Sequence, residues 1–196
     1  AWNSCLDDNS SPFVRYEWLH SLEQSGCASP QTGWVTQHVQ IYLDDAVVGF
    51  CPLYLKQHSM GEFIFDNGWA DAAYQNDIDY YPKLLVAVPF SPATGHRILW
   101  DTAVRKNNTT QLDQVVGMFL KQVTQSNKLS SVHVNFLTDE EATNLAGELD
   151  LQPRKSSSLL ESLVQLRSYE DKDDYMRRTS LQYHWINKNA KNNMKR

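Results

Sequence analysis

The chain has 196 residues, of which 41% are apolar and 21% charged, and a formal net charge of −5. That balance excludes wholesale disorder and suits one fair-sized domain or two small ones, while no apolar run approaches the roughly 18 residues of a membrane helix. Three cysteines, Cys5, Cys27 and Cys51, lack any C-x-x-C spacing, which excludes a zinc ribbon or thioredoxin-like motif and points to reduced thiols in a reducing compartment.

The chain starts at Ala1 without a charged-then-apolar leader, the pattern expected of a processed or trimmed product. After Ser11-Pro12, the spacing of Val14, Trp18, Leu19 and Leu22 predicts a helix over Val14–Ser25 with Gly26 at its C-terminus. Val39, Ile41 and Leu43 alternate, Asp44-Asp45 makes a turn, and the apolar run Ala46–Leu55 completes a β-hairpin that Pro52 bends or confines to an edge. Glu62–Phe65 is expected to be a short strand and Leu84–Phe90 a buried one, with an irregular acidic and aromatic segment, Asp66–Tyr81, between them.

Thr110–Gln125 places Leu112, Val115, Val116, Phe119, Leu120 and Val123 on one face and predicts the clearest helix of the chain. Ser131–Leu137 alternates Val132, Val134 and Phe136 against Ser131, His133 and Asn135, as a half-buried strand does. Thr138 and Glu141 have the spacing of a capping box and start a helix that ends near Gly147. This order predicts an α/β (α+β) domain with a largely antiparallel mixed sheet flanked by helices, over residues 1–153. Beyond it, Leu159–Arg167 and Asp171–Arg178 read as short helical stretches and Leu181–Ile186 as a strand. From Arg154 onward 10 basic side chains face 5 acidic ones, whereas residues 1–100 hold 4 basic and 11 acidic. The segment 154–196 thus offers a basic surface for phosphate, nucleic acid or an acidic partner, and equally the composition of a solvated tail.

Chemistry-bearing residues gather in three places. Lys56, His58, Glu62, Asp66, Trp69 and Asp71 form the densest polar run, with His58, Glu62 and Asp71 as acid or base candidates. Lys56 and Trp69 are candidate substrate contacts there. No second histidine follows at ligand spacing, so no metal site is expected. Tyr80-Tyr81-Pro82-Lys83 and Val88–Gly95 form the second group, in which prolines interrupt the ladder and free backbone groups for a ligand. Tyr81, Lys83 and Thr94 are its candidate contacts, Lys83 for an anion and Tyr81 for a nucleophile or leaving group. In the third, Gln182-Tyr183-His184-Trp185, His184 is a candidate base and Trp185 a substrate contact. Each also has a plain structural use, as polar loop, aromatic core or hydrogen-bonded strand histidine. Nucleophile elbow, P-loop, dinucleotide fingerprint and the pyrophosphate loop of ordinary GNAT acetyltransferases are missing from the sequence.

Ser11-Pro12-Phe13, Leu22–Gly26, Thr32-Gly33-Trp34, Pro52–Lys56 with His58-Ser59 and Gly61-Glu62, Gly68–Asp71, Tyr80–Leu84, Ala87–Phe90, Thr94-Gly95 and Gln182–Trp185 carry a resemblance. Together they resemble the FemAB-like family of predicted N-acyltransferases, labelled peptidoglycan biosynthesis/recognition proteins and also DUF482. The resemblance implies a GNAT-like fold, usually as two such halves, of which this chain would be the N-terminal one. It further implies transfer of an acyl or aminoacyl group, from acyl-CoA or aminoacyl-tRNA, to an amine-bearing acceptor. The Gln182 strand follows the acidic-aromatic Tyr169–Met176 segment here, an altered order for the family. A second reading therefore stands beside the enzyme: a non-catalytic accessory subunit of transferase-derived fold that docks in a larger protein assembly. The setting implied is cytoplasmic for a bacterial chain and plastid for a eukaryotic one.

Overall fold

The computed structural model describes residues 1–8, 10–64, 66–106 and 109–149. The sequence readings that fall on 154–196, His184 and Trp185 among them, lie outside the described residues.

Ser11 caps a single 3-10 turn, Pro12–Val14, by accepting from the Phe13 amide. Arg15 then takes an extended conformation, and helix α1 runs over Tyr16–Gln24. The periodicity that predicts one helix from Val14 thus belongs to two, broken where Arg15 leaves helical backbone. Gly26 closes the segment at φ 76°, the left-handed conformation that glycine adopts without strain. Strand β1, Trp34–Thr36, is too short to show alternation in the sequence.

Strands β2 (Val39–Leu43) and β3 (Ala46–Cys51) form the expected antiparallel hairpin, turning at Asp44 with φ 52°. Pro52 has no N–H to continue that ladder, and β4 (Leu53–Lys56) on its far side belongs to a different sheet. One sheet has the order β1-β4-β5-β7 and the other β2-β3-β6, where β5 is Lys83–Val86, β6 Leu99–Trp100 and β7 Val132–Val134. Among the described residues four of the pairings are antiparallel and one, β5 with β7, is parallel. The mixed α+β class follows from these two sheets and five helices.

Two expectations are corrected. The segment Glu62–Phe65 is not a strand over its described residues, because Glu62 lies in a turn and Phe63 takes φ 55°. The segment after it is not irregular throughout: Asn67–Tyr74 form helix α2, with Ala70 buried. Aromatic and acidic residues masked its short period.

Helices α3 (Thr102–Arg105) and α4 (Thr110–Ser126) lead from β6 to β7, and α5 (Asp139–Leu149) follows. Strand alternation decides what each sheet face meets. Leu53, Leu84 and Val86 pack with Val116 and Leu120 of α4 and Leu145 of α5, each buried side chain contributing about 1.5–3 kcal/mol. On the opposite face Trp34, Tyr54 and Leu85 pack with Ala28 and Ala87. The registers Trp34↔Lys56, Lys56↔Lys83 and Leu85↔His133 put two lysines and a histidine on that second face, toward one end of the sheet.

Two buried acids join the helices to the sheets. Asp113 of α4 accepts from Trp100 Nε1 and from Asn144 Nδ2, both at 2.8 Å, and so links β6, α4 and α5. Thr138 Oγ1 accepts from the Glu141 amide at 3.2 Å, as a capping box requires. Glu141 itself reaches further, since its Oε1 accepts from the Arg97 and Ile98 amides at 2.8 Å each. Arg97, fully buried, donates to the carbonyls of Asn135, Ala93, Gly95 and His96, and burial pulls its pKa down to about 10. Replacing Glu141 by glutamine keeps an acceptor for the two amides but removes the negative charge near the buried guanidinium. Urea denaturation of Glu141→Gln is expected to show a loss of about 1–3 kcal/mol; an unchanged midpoint would show that the charge is irrelevant there.

Candidate functional site

Lys83 begins β5 on the sheet face where Lys56 and His133 also sit, and its side chain is fully buried. An ammonium without water must find acceptors. Lys83 Nζ has Ser59 Oγ at 2.7 Å, Asp66 Oδ2 at 2.9 Å, Glu62 Oε2 at 3.0 Å and His133 Nδ1 at 3.4 Å. The Tyr80 and Tyr81 rings flank it, with centroids at 5.5 and 5.4 Å.

Each partner comes from a different local device. Asp66 stands at the N-cap of α2, where an aspartate ordinarily accepts from the first-turn amides. Its side chain makes no cap hydrogen bond; the carboxylate turns to Lys83 and takes the Tyr80 hydroxyl at 2.9 Å. Ser59 and Glu62 belong to the 57–63 loop after β4. Gly61, at φ 80°, supplies its left-handed step, and a Cβ there would lie 2.5 Å from the Phe90 ring. His133 comes from the neighbouring edge strand β7 through the parallel β5–β7 pair.

Lys56, the cross-strand neighbour of Lys83, is equally buried. Its Nζ donates to Met60 O at 3.2 Å and sits 3.6 Å from the Trp34 ring centroid. Burial holds its pKa down to about 8, with Glu62 opposing and Lys83 reinforcing. Burial also raises Glu62, against the pull of both lysines. Asp66 ends below its ordinary value: burial is the largest influence and pushes upward, but Ser59, Lys83 and Tyr80 together outweigh it. Glu62 Oε1 and Asp66 Oδ1 are buried without a hydrogen-bond partner among the described residues.

The cluster reaches the surface through Tyr81. Its hydroxyl meets Ser59 Oγ at 2.7 Å, the residue is half-buried, and burial raises the phenol pKa, so Tyr81 carries its proton at neutral pH. Carboxylate and imidazole atoms of Glu62, Asp66 and His133 lie within 4.8 Å of one another, an arrangement able to hold a cation. The Lys83 ammonium stands among them.

Of the residues singled out from the sequence, the structure brings Lys56, Glu62, Tyr81 and Lys83 together. His58 lies beside them in the loop: its Nδ1 accepts from the Met60 amide at 3.2 Å, and a Cβ on Gly33 would come within 2.2 Å of its Nε2. Burial and the Lys56 charge lower its pKa. Trp69 is half-buried on α2, while Asp71 points to solvent from the same helix. Thr94 is exposed in the loop whose carbonyls Arg97 gathers. Ser59 and His133 escaped the sequence reading as site residues. Ser59 lies in a motif that assigns it no role, and His133 reads as a polar strand position.

A family model described as peptidoglycan biosynthesis/recognition, FemAB_like, matches residues 1–194. No curated protein and no solved structure matches the chain significantly.

Removing the central cation leaves two buried carboxylates uncompensated. Lys83→Met is expected to cost about 3–5 kcal/mol at pH 7. The loss should shrink as pH falls toward 4–5, because protonating Glu62 and Asp66 removes the stranded charge. Denaturation curves of both proteins at the two pH values check this, and a deficit independent of pH would refute the electrostatic account.

Proposed function

The chain belongs to the FemAB-like family, and on that premise we propose that it transfers an acyl or aminoacyl group to an amine. The observation that carries the reading is the hydrogen-bonded series Lys83–Ser59–Tyr81, which runs from a buried, charge-balanced centre to a half-exposed phenol. Lys83 only donates, so Ser59 accepts from it and passes its own proton either to Tyr81 or to the neighbouring Asp66. In the first arrangement the Tyr81 O–H is free to donate outward. In the second, Tyr81 donates to Ser59 and offers an oxygen lone pair.

Acyl transfer to an amine uses both states. The amine nitrogen bonds to the activated carbonyl carbon as its proton moves to the Tyr81 oxygen, the Tyr81 proton to Ser59 and the Ser59 proton to Asp66. The same relay in reverse returns a proton to the departing oxygen or sulfur as its bond to carbon breaks. Tyr81 would touch the reacting atoms, Ser59 would switch its direction, and Lys83 would fix Ser59. Glu62 and Asp66 hold Lys83 in place. His58 belongs to the loop that carries Ser59, Lys56 ends β4 just before that loop, and Trp69, Thr94 and Asp71 remain candidates for binding the larger parts of a substrate.

Charge favours an ammonium acceptor at this face. Residues 1–149 carry 8 basic and 17 acidic side chains, of which three basic ones, Lys56, Lys83 and Arg97, and four acidic ones, Glu62, Asp66, Asp113 and Glu141, are buried. Such a surface attracts cationic amines and repels polyanions, so an aminoacyl-tRNA donor would need the basic residues after Arg154, whereas an acyl-CoA donor places less charge on the protein.

The purified protein, offered acyl-CoA thioesters or aminoacyl-tRNA together with amine acceptors of the peptidoglycan-precursor type, is expected to form an amide detectable by mass spectrometry. Tyr81→Phe should lower kcat by about 100- to 10,000-fold while leaving the melting temperature close to wild type. Absence of product with every donor class would sink the enzyme reading and leave the docking subunit in its place.

A further inference from the structure

Three ties in succession hold the 57–63 loop over the cluster. Lys83 Nζ donates to Ser59 Oγ at 2.7 Å, Lys56 Nζ to Met60 O at 3.2 Å, and the Phe90 amide to Gly61 O at 3.1 Å. The first two come from the registered pair Lys56↔Lys83, the third from the turn after β5. Lys83 has carboxylates for partners, but Lys56 is buried against a backbone carbonyl and an indole face. A methionine would fill a comparable apolar volume without the cost of a buried charge. The ammonium therefore does something a hydrophobic side chain would not: it binds the Met60 carbonyl, one residue from Ser59 and two from Glu62.

We propose that Lys56 is a positioning residue that holds the Ser59 loop by its charge, clamped between the Trp34 ring and the Met60 carbonyl, rather than a residue that touches substrate. The inference rests on the transferase reading for its effect on turnover, but the clamp itself does not. The Trp34 ring is packed against Tyr54, edge-on with centroids 5.1 Å apart, and against Phe90 at 5.6 Å, so the indole is a held seat for the ammonium. The titratable groups around Lys56 are Glu62 and His58 in the loop and Lys83 on β5; β1 contributes the indole of Trp34. Since Lys56 loses its proton near pH 8, the clamp is expected to be full below that value and to weaken above it.

Hydrogen–deuterium exchange of the intact chain, corrected for intrinsic rates, reads the clamp directly at residues 57–63. Wild type should lose protection there by about 10-fold from one pH unit below 8 to one above it, following a single-proton titration. Lys56→Met should show the low protection at both values with the rest of the described fold protected as before. Its kcat should fall with little change in KM, and the alkaline limb of the wild-type pH profile should vanish. Loop protection in Lys56→Met equal to wild type, or wild-type protection that ignores pH, would overturn the proposal. Should the variant fail to fold, the wild-type titration alone decides. Should no transfer be detected, the exchange result still decides the clamp, so that its failure and the failure of the transferase reading remain separate outcomes.

Discussion

An ammonium ion enclosed by protein is the constraint around which this end of the sheet is organised. Lys83 cannot be buried unless acceptors converge on it, and they converge from a loop, a helix N-cap and a neighbouring strand. Satisfying one charge thereby ties three pieces of chain together, alongside the β5–β7 pairing and the loop's ties to Lys56 and Phe90. Asp66 gives up capping α2 to take part, and the loop accepts left-handed backbone at Gly61 and Phe63. A site built this way is stiff before any substrate arrives, which is the condition for electrostatic and proton-transfer catalysis to work without reorganisation.

How far the sequence discloses this arrangement depends on the range of the interaction that sets each element. The hairpin β2–β3, the long helix α4 and the start of α5 are governed by neighbours a few residues away, and their periodicity or cap spacing announces them. Helix α2 hides because its eight residues hold three alanines, a glycine, two aromatic and two polar side chains in no clean period. Strand β1 hides because three residues cannot display one. Within the site, Glu62, Lys56, Tyr81 and Lys83 stand out by chemical type, and their meeting is explained only by the Lys56↔Lys83 register. His133 is invisible for the same reason: a parallel pairing across the length of α4 joins it to Lys83. Asp71, attractive for its place beside Trp69, is turned outward by the helical period that sequence alone does not show here.

The distribution of cations carries a second lesson. Of the four basic residues among the first hundred, Lys56, Lys83 and Arg97 are fully buried and only Arg15 is exposed. A count of charges would have assigned them to the surface, where most lysines and arginines lie. Buried instead, they act as internal fasteners: Lys83 for carboxylates, Lys56 for a loop carbonyl, and Arg97 for carbonyls of the chain before β6 and of Asn135 after β7. Four acids, Glu62, Asp66, Asp113 and Glu141, are buried as well, so the outer surface of the described region keeps the acidic balance of its composition.

The parallel contact between β5 and β7 also bears on how the molecule comes to be folded. Antiparallel β4 and β5 can pair early, but β7 reaches β5 only after β6, α3 and α4 have been laid down between them. Closing so long a loop is slow compared with forming a hairpin or a helix. Until it closes, the Leu84 amide lacks the Ser131 carbonyl that it meets at 2.9 Å, and Lys83 lacks His133. The charged centre is thus completed among the last events of folding, and a nascent chain emerging from the ribosome would hold two lysines and two carboxylates in an unfinished, water-filled site until residue 134 has cleared the exit tunnel.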